Sequence, residues 1–219
     1  MPRHHIADDL LLAYAAGSLA EGWSLAVATH LSLCGQCRDR LALAEAAGGQ
    51  LLETLAAEPQ AESWDQAGSW DVLRARLATK TPSSAAAREP AAATLPRPLR
   101  DYIGGDLDAI RWTAIGTAGA QARLKTADRE TQVRLLRIPA GKPVPEHGHR
   151  GRELTVVLTG AFTDGAQRFG HGDVEDADVE VEHIPTATPE ADCICLAVTD
   201  APLRFRSLLV RALQPFLGI

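Results

Sequence analysis

In the first 80 residues the apolar positions recur at helical spacing. DDLLLAYAAGSL (residues 8–19) opens on two acids and closes at Gly-Ser, AEGWSLAVATHLSLC (20–34) continues the pattern, and CRDRLALAEAAGGQLLETLA (37–56) forms a third helical run. A fourth candidate, SWDQAGSWDVLRARLATK (63–80), carries Trp70, Leu73 and Leu77 at i, i+3 and i+7, a narrow apolar stripe. No proline interrupts residues 3–58.

The pattern breaks at TPSSAAAREPAAATLPRP (81–98), which holds four prolines among small residues. Such a segment buries too little apolar surface to fold and reads as a linker. Beyond it the period drops to two. IRWTAI, QARLKT, VRLLRI, LTVVLT and CICLAV are short β-rich runs divided by Gly, Pro and Asp turns. Short strands without helical runs between them predict a sandwich or barrel. The expected fold class is multidomain α plus β: a small helical bundle over residues 1–80, a linker over 81–98, and a jelly-roll type β-barrel over 99–219.

Composition then narrows the function. Apolar residues make up 46% and charged residues 23%, ordinary for a folded soluble protein. No run approaches the roughly 18–20 apolar residues of a membrane span. MPRHHIADD turns acidic without a secretory apolar core, so the cytoplasm is the expected compartment. A formal charge of −6 argues against direct nucleic-acid binding, which needs Lys and Arg to neutralise phosphates. An effect on transcription would run through contact with a protein. Of the four cysteines, two stand three residues apart, and in a reducing compartment a close pair reads as metal ligands or redox groups.

That pair lies in HLSLCGQC. His30 and Cys34 are four apart, so on a helix they share a face; Cys37 follows once Gly35 has opened a turn. One ion can reach all three. A closed zinc site needs a fourth donor, and His4 and His5 are the other histidines in this half. Without a metal the same residues would be two small buried hydrophobes and a surface histidine. With zinc the cluster is a staple, since binding supplies on the order of 10–16 kcal/mol in small motifs.

A second cluster lies in GKPVPEHGHRGRELTVVLTG (141–160). His147 and His149 are i and i+2, on one face of a strand, and Glu153 returns across a turn eased by Gly148 and Gly151. Two imidazoles and a carboxylate converging inside a barrel make a metal site. The next histidines, His171 and His183, both compete for the place of a further ligand. Between them DVEDADVEVE (173–182) places six acids in ten residues, most simply a solvated loop and edge. Cys193 and Cys195 share a strand face and read as buried small hydrophobes, with a redox role as the sharper alternative.

These motifs carry a resemblance. Gly141, His147, His149, Glu153 and Gly160 match the first cupin motif at every fixed position. RHHIADDLLLAYAAGSL followed by SLAVATHLSLCGQCR resembles the ChrR family of zinc-binding anti-sigma factors. The resemblance implies zinc on His5, His30, Cys34 and Cys37, with His4 as a possible substitute for His5. In a cupin domain it implies zinc or another divalent metal on His147, His149, Glu153 and His183. It implies a 1:1 complex with an extracytoplasmic-function sigma factor, released on singlet oxygen or organic peroxide stress. The Trp70, Leu73 and Leu77 stripe is the candidate clasp on that partner, or else docks on its own bundle. Two other functions fit the barrel alone: a metal-dependent enzyme of dioxygenase or isomerase type, and a small-molecule-sensing module. Nothing nominates a separate general base, so the expectation is a regulator, not an enzyme.

Overall fold

The computed structural model describes residues 1–55, 70–79, 93–116 and 119–206. They fall into two compact units, one formed by residues 1–48 with those from 94 onward, the other by residues 49–93.

The helical runs appear where the periodicity places them: α1 Asp8–Ala15, α2 Glu21–Leu33, α3 Gly35–Thr54 and α4 Trp70–Thr79. Asp8 and Asp9 occupy the first turn of α1, where the partial positive charge of the helix end favours them. The break between α2 and α3 falls at Cys34, in extended conformation with its N–H donating to the His30 carbonyl at 2.9 Å. Gly35 therefore does not make the turn expected of it; it begins α3. The linker expected over 81–98 lies largely outside the described residues. Its end starts a short helix, α5 Arg97–Ile103, with Pro98 in the first turn. The first residues of the fourth helical run, 63–69, also lie outside the described residues.

Twelve strands follow among the described residues: β1 Thr113–Ile115, β2 Gly119–Leu124, β3 Gln132–Ile138, β4 His147–Gly148, β5 Glu153–Thr159, β6 Ala161–Asp164, β7 Gln167–Gly170, β8 Val174–Ala177, β9 Glu182–His183, β10 Thr186–Ala187, β11 Cys193–Thr199 and β12 Arg204–Phe205. They form a six-stranded sheet in the order β1-β2-β3-β11-β5-β8 and two three-stranded sheets, β10-β6-β7 and β12-β4-β9, paired antiparallel throughout.

The large sheet is covered on both faces, which explains the nearly unbroken apolar runs ELTVVLT and CICLAVT. Alternate residues separate two environments. Val133 and Leu135 of β3, Leu154, Val156 and Leu158 of β5, and Leu196 and Val198 of β11 share one core with Leu10, Leu25, Val27 and Leu31 of the helices. Their neighbours, Arg134, Glu153, Thr155, Cys193 and Cys195, face the barrel interior. Each aliphatic side chain buried in that shared core contributes about 1.5–3 kcal/mol. At Gly22 of α2 a β-carbon would stand 2.2 Å from Thr131 Oγ1, so helix and sheet approach as closely as a glycine allows.

Polar contacts close the same seam. The main-chain N–H groups of Arg3 and His4 donate to Asp173 Oδ1, and Val174 N–H donates to the His4 carbonyl at 3.3 Å. Arg152 holds Asp9 of α1 and Asp176 of β8, each at 2.6 Å. The acidic run is thus not a solvated loop over its first half. Asp173 and Glu175 are buried, and β8 is the edge strand of the large sheet, paired with β5, so the run does form an edge.

Other apolar residues are left outside. Leu43, Leu51 and Leu52 of α3 and Leu55 just beyond it are exposed. In α4, Trp70, Leu73 and Leu77 are 61%, 47% and 58% exposed.

Candidate metal centres

His5, His30, Cys34 and Cys37 converge, one ligand atom from each lying within 4.8 Å of all the others. Three elements build the group: the extended N-terminal segment brings His5, α2 ends on His30 and Cys34, and α3 begins two residues before Cys37. Cys34 Sγ is 3.3 Å and Cys37 Sγ 3.6 Å from His5 Nδ1. Around a tetrahedral zinc ion, nitrogen and sulfur ligands stand about 3.6 Å apart. His4 points elsewhere, its ring packed on Phe169 with centroids 4.3 Å apart.

The hydrogen bonds orient the donors. His30 Nδ1 lies 2.8 Å from the carbonyl oxygen of Gly172; since a carbonyl can only accept, Nδ1 carries the proton and Nε2 the lone pair. That Nε2 is buried with no hydrogen-bond partner. A buried nitrogen lone pair left over beside two thiols is what a soft cation would satisfy. Burial holds the His30 imidazole down at about 4 and so keeps it neutral. Cys34 Sγ accepts from the Cys37 N–H at 3.5 Å at the start of α3, and Arg40 Nη1 reaches Cys37 Sγ at 3.6 Å and the Ile6 carbonyl at 3.0 Å. These donors offset negative charge on the sulfurs; burial, together with the neighbouring Cys34, raises the Cys37 thiol above its ordinary range. The residues fit zinc.

The second group lies in the barrel. His183 Nε2 is 3.1 Å from both His149 Nε2 and His147 Nε2, and all three side chains are buried. His147 and His183 are directly opposed in the β4–β9 pair. His147 Nδ1 donates to the Pro145 carbonyl at 2.9 Å, and His183 Nδ1 donates to Asp164 Oδ2 at 3.2 Å, with Glu175 Oε1 at 3.7 Å. These bonds leave the Nε2 lone pairs of the two rings facing one another. Only a positive charge resolves such a meeting, either a proton on His183 or a metal ion among the three nitrogens. Burial lowers His147 and His149 to about 4. It also works against a charge on His183, but Glu175 and Asp164 outweigh it and His183 is raised.

Glu153 is placed less centrally than the motif suggests. Its Oε2 lies 4.0 Å from His149 Nδ1, Thr155 Oγ1 donates to its Oε1 at 3.2 Å, and it is not within the tight three-histidine group. Burial pushes its carboxyl up to about 7. Three imidazoles with this carboxylate suit zinc, iron, manganese or nickel. His171 is exposed, its Nδ1 donating 2.6 Å to the Leu158 carbonyl, and it does not approach the group. Cys193 and Cys195 of β11 line the same cavity as His147 and Glu153, free thiols with sulfurs 3.4 Å apart.

Sequence reasoning did not find the carboxylates that hold His183. Asp164 ends β6 with no motif around it, and Glu175 was hidden in the acidic run. The apolar residues on either side of it carried a signal, since Val174 and Ala177 are buried.

Fold and donor groups together define a class: a helical His/Cys cluster seated on a jelly-roll barrel that carries its own histidine cluster. Residues 101–202 match the family described as the ChrR cupin-like domain. Over 217 residues, 99% of either chain, the sequence is 51% identical to Anti-sigma-E factor ChrR of Cereibacter sphaeroides. A crystal structure of Rhodobacter sphaeroides SigE in complex with the anti-sigma ChrR aligns with a TM-score of 0.78 at 50% identity, covering 91% of this chain and all of that one. The chain belongs to the ChrR family, with a helical N-terminal region and a C-terminal cupin-like domain.

Proposed function

We propose that this chain is an anti-sigma factor, a regulator and not a catalyst. It binds one extracytoplasmic-function sigma factor in the cytoplasm and keeps it from polymerase. Zinc on His5, His30, Cys34 and Cys37 shapes the helical surface that makes the contact. A divalent metal on His147, His149 and His183, with Glu153 beside them, belongs to the barrel that receives the signal. Singlet oxygen or an organic peroxide acting there loosens the complex.

The observation that carries this reading is 51% identity over 99% of the chain to a relative named an anti-sigma factor. The exposed leucines of α3 and the Trp70, Leu73 and Leu77 stripe of α4 support it, because they offer apolar surface of the kind a partner buries. Of these, Trp70 is the kind of residue that serves as an interface hot spot, where removal costs about 2 kcal/mol or more.

The test is co-purification of the full chain with its cognate sigma factor. Leu73→Asp is expected to abolish the complex with the circular dichroism unchanged. His147→Ala and His149→Ala are expected to preserve the complex and blunt its release in cells exposed to singlet oxygen. Equal loss of binding and of response in the barrel variants would defeat this division of roles.

A further inference from the structure

We propose that Arg40 is a positioning residue of the helical metal centre: its guanidinium ties the chain segment that delivers His5 to the sulfur of Cys37. The proposal rests on the zinc reading given above and concerns a residue outside the four ligands.

Cys37 and Arg40 are three apart on α3, so they share a face of that helix. From there Arg40 Nη1 donates to two acceptors, Cys37 Sγ at 3.6 Å and the Ile6 carbonyl oxygen at 3.0 Å. The Ile6 N–H also lies toward the same sulfur and favours its anion. Both main-chain polar groups of the residue after His5 thus meet the Cys37–Arg40 pair. Ile6 is 1% exposed, so its carbonyl has no water to turn to and depends on the guanidinium.

His5 belongs to no helix or strand; it lies ahead of α1. Its place is therefore set by what holds the residues on either side. On the barrel side Asp173 accepts from the N–H groups of Arg3 and His4. On the helical side the anchor is Arg40, through Ile6. The imidazole stands between the two anchors, and only the second of them also touches a zinc sulfur.

The charge of Arg40 is not what the site needs. Two thiolates and two neutral imidazoles already neutralise a divalent ion. The other terminal nitrogen, Nη2, donates to Asp8 in the first turn of α1, so the guanidinium has a separate counter-ion. That pair is at the surface, the Asp8 side chain being 81% exposed, and contributes little by itself. What Arg40 supplies is direction, N–H donors aimed from a rigid plane at a sulfur and a carbonyl. Outer partners of this kind hold metal ligands in place and tune their donation.

The experiment uses the full chain and competition with a chromophoric chelator. Arg40→Ala is expected to lower zinc affinity about 10- to 100-fold while the barrel keeps its metal. In the cobalt-substituted protein the thiolate-to-cobalt charge-transfer band should move to lower energy, because the Cys37 sulfur has lost a donor. Arg40→Lys, which keeps the charge and removes the planar fork, should fall between, and it serves if the alanine variant does not fold. Asp8→Asn should change the affinity by less than about 5-fold and leave the band in place. Zinc affinity unaltered in the Arg40 variants overturns the proposal. So does a loss of affinity with an unmoved band, or an equal loss in Asp8→Asn. A wild-type chain that binds no zinc through His5, Cys34 and Cys37 defeats the zinc reading and this role together. Zinc held there indifferently to Arg40 defeats this role alone.

Discussion

The imidazole of His30, at the end of α2, donates from Nδ1 to the carbonyl oxygen of Gly172, 142 positions further along the chain, at 2.8 Å. The acceptor belongs to the turn between β7 and β8, so the barrel supplies the outer partner that orients a histidine of the helical cluster. Such partners fix the ring and raise its basicity toward a metal, and losing one typically costs 10- to 100-fold in affinity.

Gly172 has a φ of 84°, and a β-carbon there would stand 2.8 Å from Pro2 Cγ. Gly172→Val must therefore shift both the turn and the N-terminal segment that delivers His5. We expect about 1–3 kcal/mol of destabilisation from the backbone conformation and a zinc affinity lowered by about one order of magnitude or more. Competition with a chromophoric chelator measures it; unchanged affinity would detach His30 from barrel control.

Metal content should divide by substitution. Cys34→Ser or His30→Ala is expected to remove one equivalent of zinc and to lower the melting temperature of the helical region. His147→Ala or His183→Ala is expected to remove the other metal and leave the zinc. Elemental analysis of each purified variant checks the separation, and one equivalent lost from both kinds of variant at once would mean the sites are not independent.

Arg152 joins Asp9 to Asp176 and keeps some solvent contact, which limits what the bridge contributes. Its removal in Arg152→Ala should cost about 1 kcal/mol, the upper end for partly exposed pairs. The loss should shrink at high salt, as denaturant melts with and without added sodium chloride would show.

The acid response of the metal-free protein has a definite sign. Burial holds His30, His147 and His149 at about 4, below the ordinary 6.5, so between these values the unfolded chain binds protons that the folded one refuses. Stability falls as pH drops through that window. Glu153 opposes this: its carboxyl, raised by burial from 4.5 to about 7, keeps a proton the unfolded chain has released, which costs stability as pH rises between the two. Three imidazoles outweigh one carboxyl. His183 is raised above 6.5, so its contribution is complete below that value and disappears only at higher pH. Melts of chelator-treated protein should show stability rising from about pH 4.5 to 6.5; a flat or falling profile would contradict the burial of these rings.

Much of this was legible along the chain. Periodicity located four of the five described helices, missing α5, and the principal strands, because each reflects a local alternation of buried and exposed positions. His30, Cys34 and Cys37 were legible because one helix end brings them together, and His147 and His149 because a strand does. The seam between helices and sheet was not. Arg3 and Asp173 are 170 positions apart, and nothing in either neighbourhood marks the other. The acidic run misled because charge usually means solvent, whereas here Asp173 caps main-chain N–H groups and Glu175 faces an imidazole. The choice between His4 and His5 likewise depended on which ring Phe169 takes up, a contact with no local trace.

The sheet face that carries Leu135, Val156 and Leu196 has its complement in α2. Cutting the chain between the fourth helix and the barrel would therefore not yield two self-sufficient pieces. Each fragment would present a raw hydrophobic wall, prone to clump, and the carboxy-terminal piece would lose the cover of its own β-sheet. A movement that parted α2 from the sheet would wet that wall.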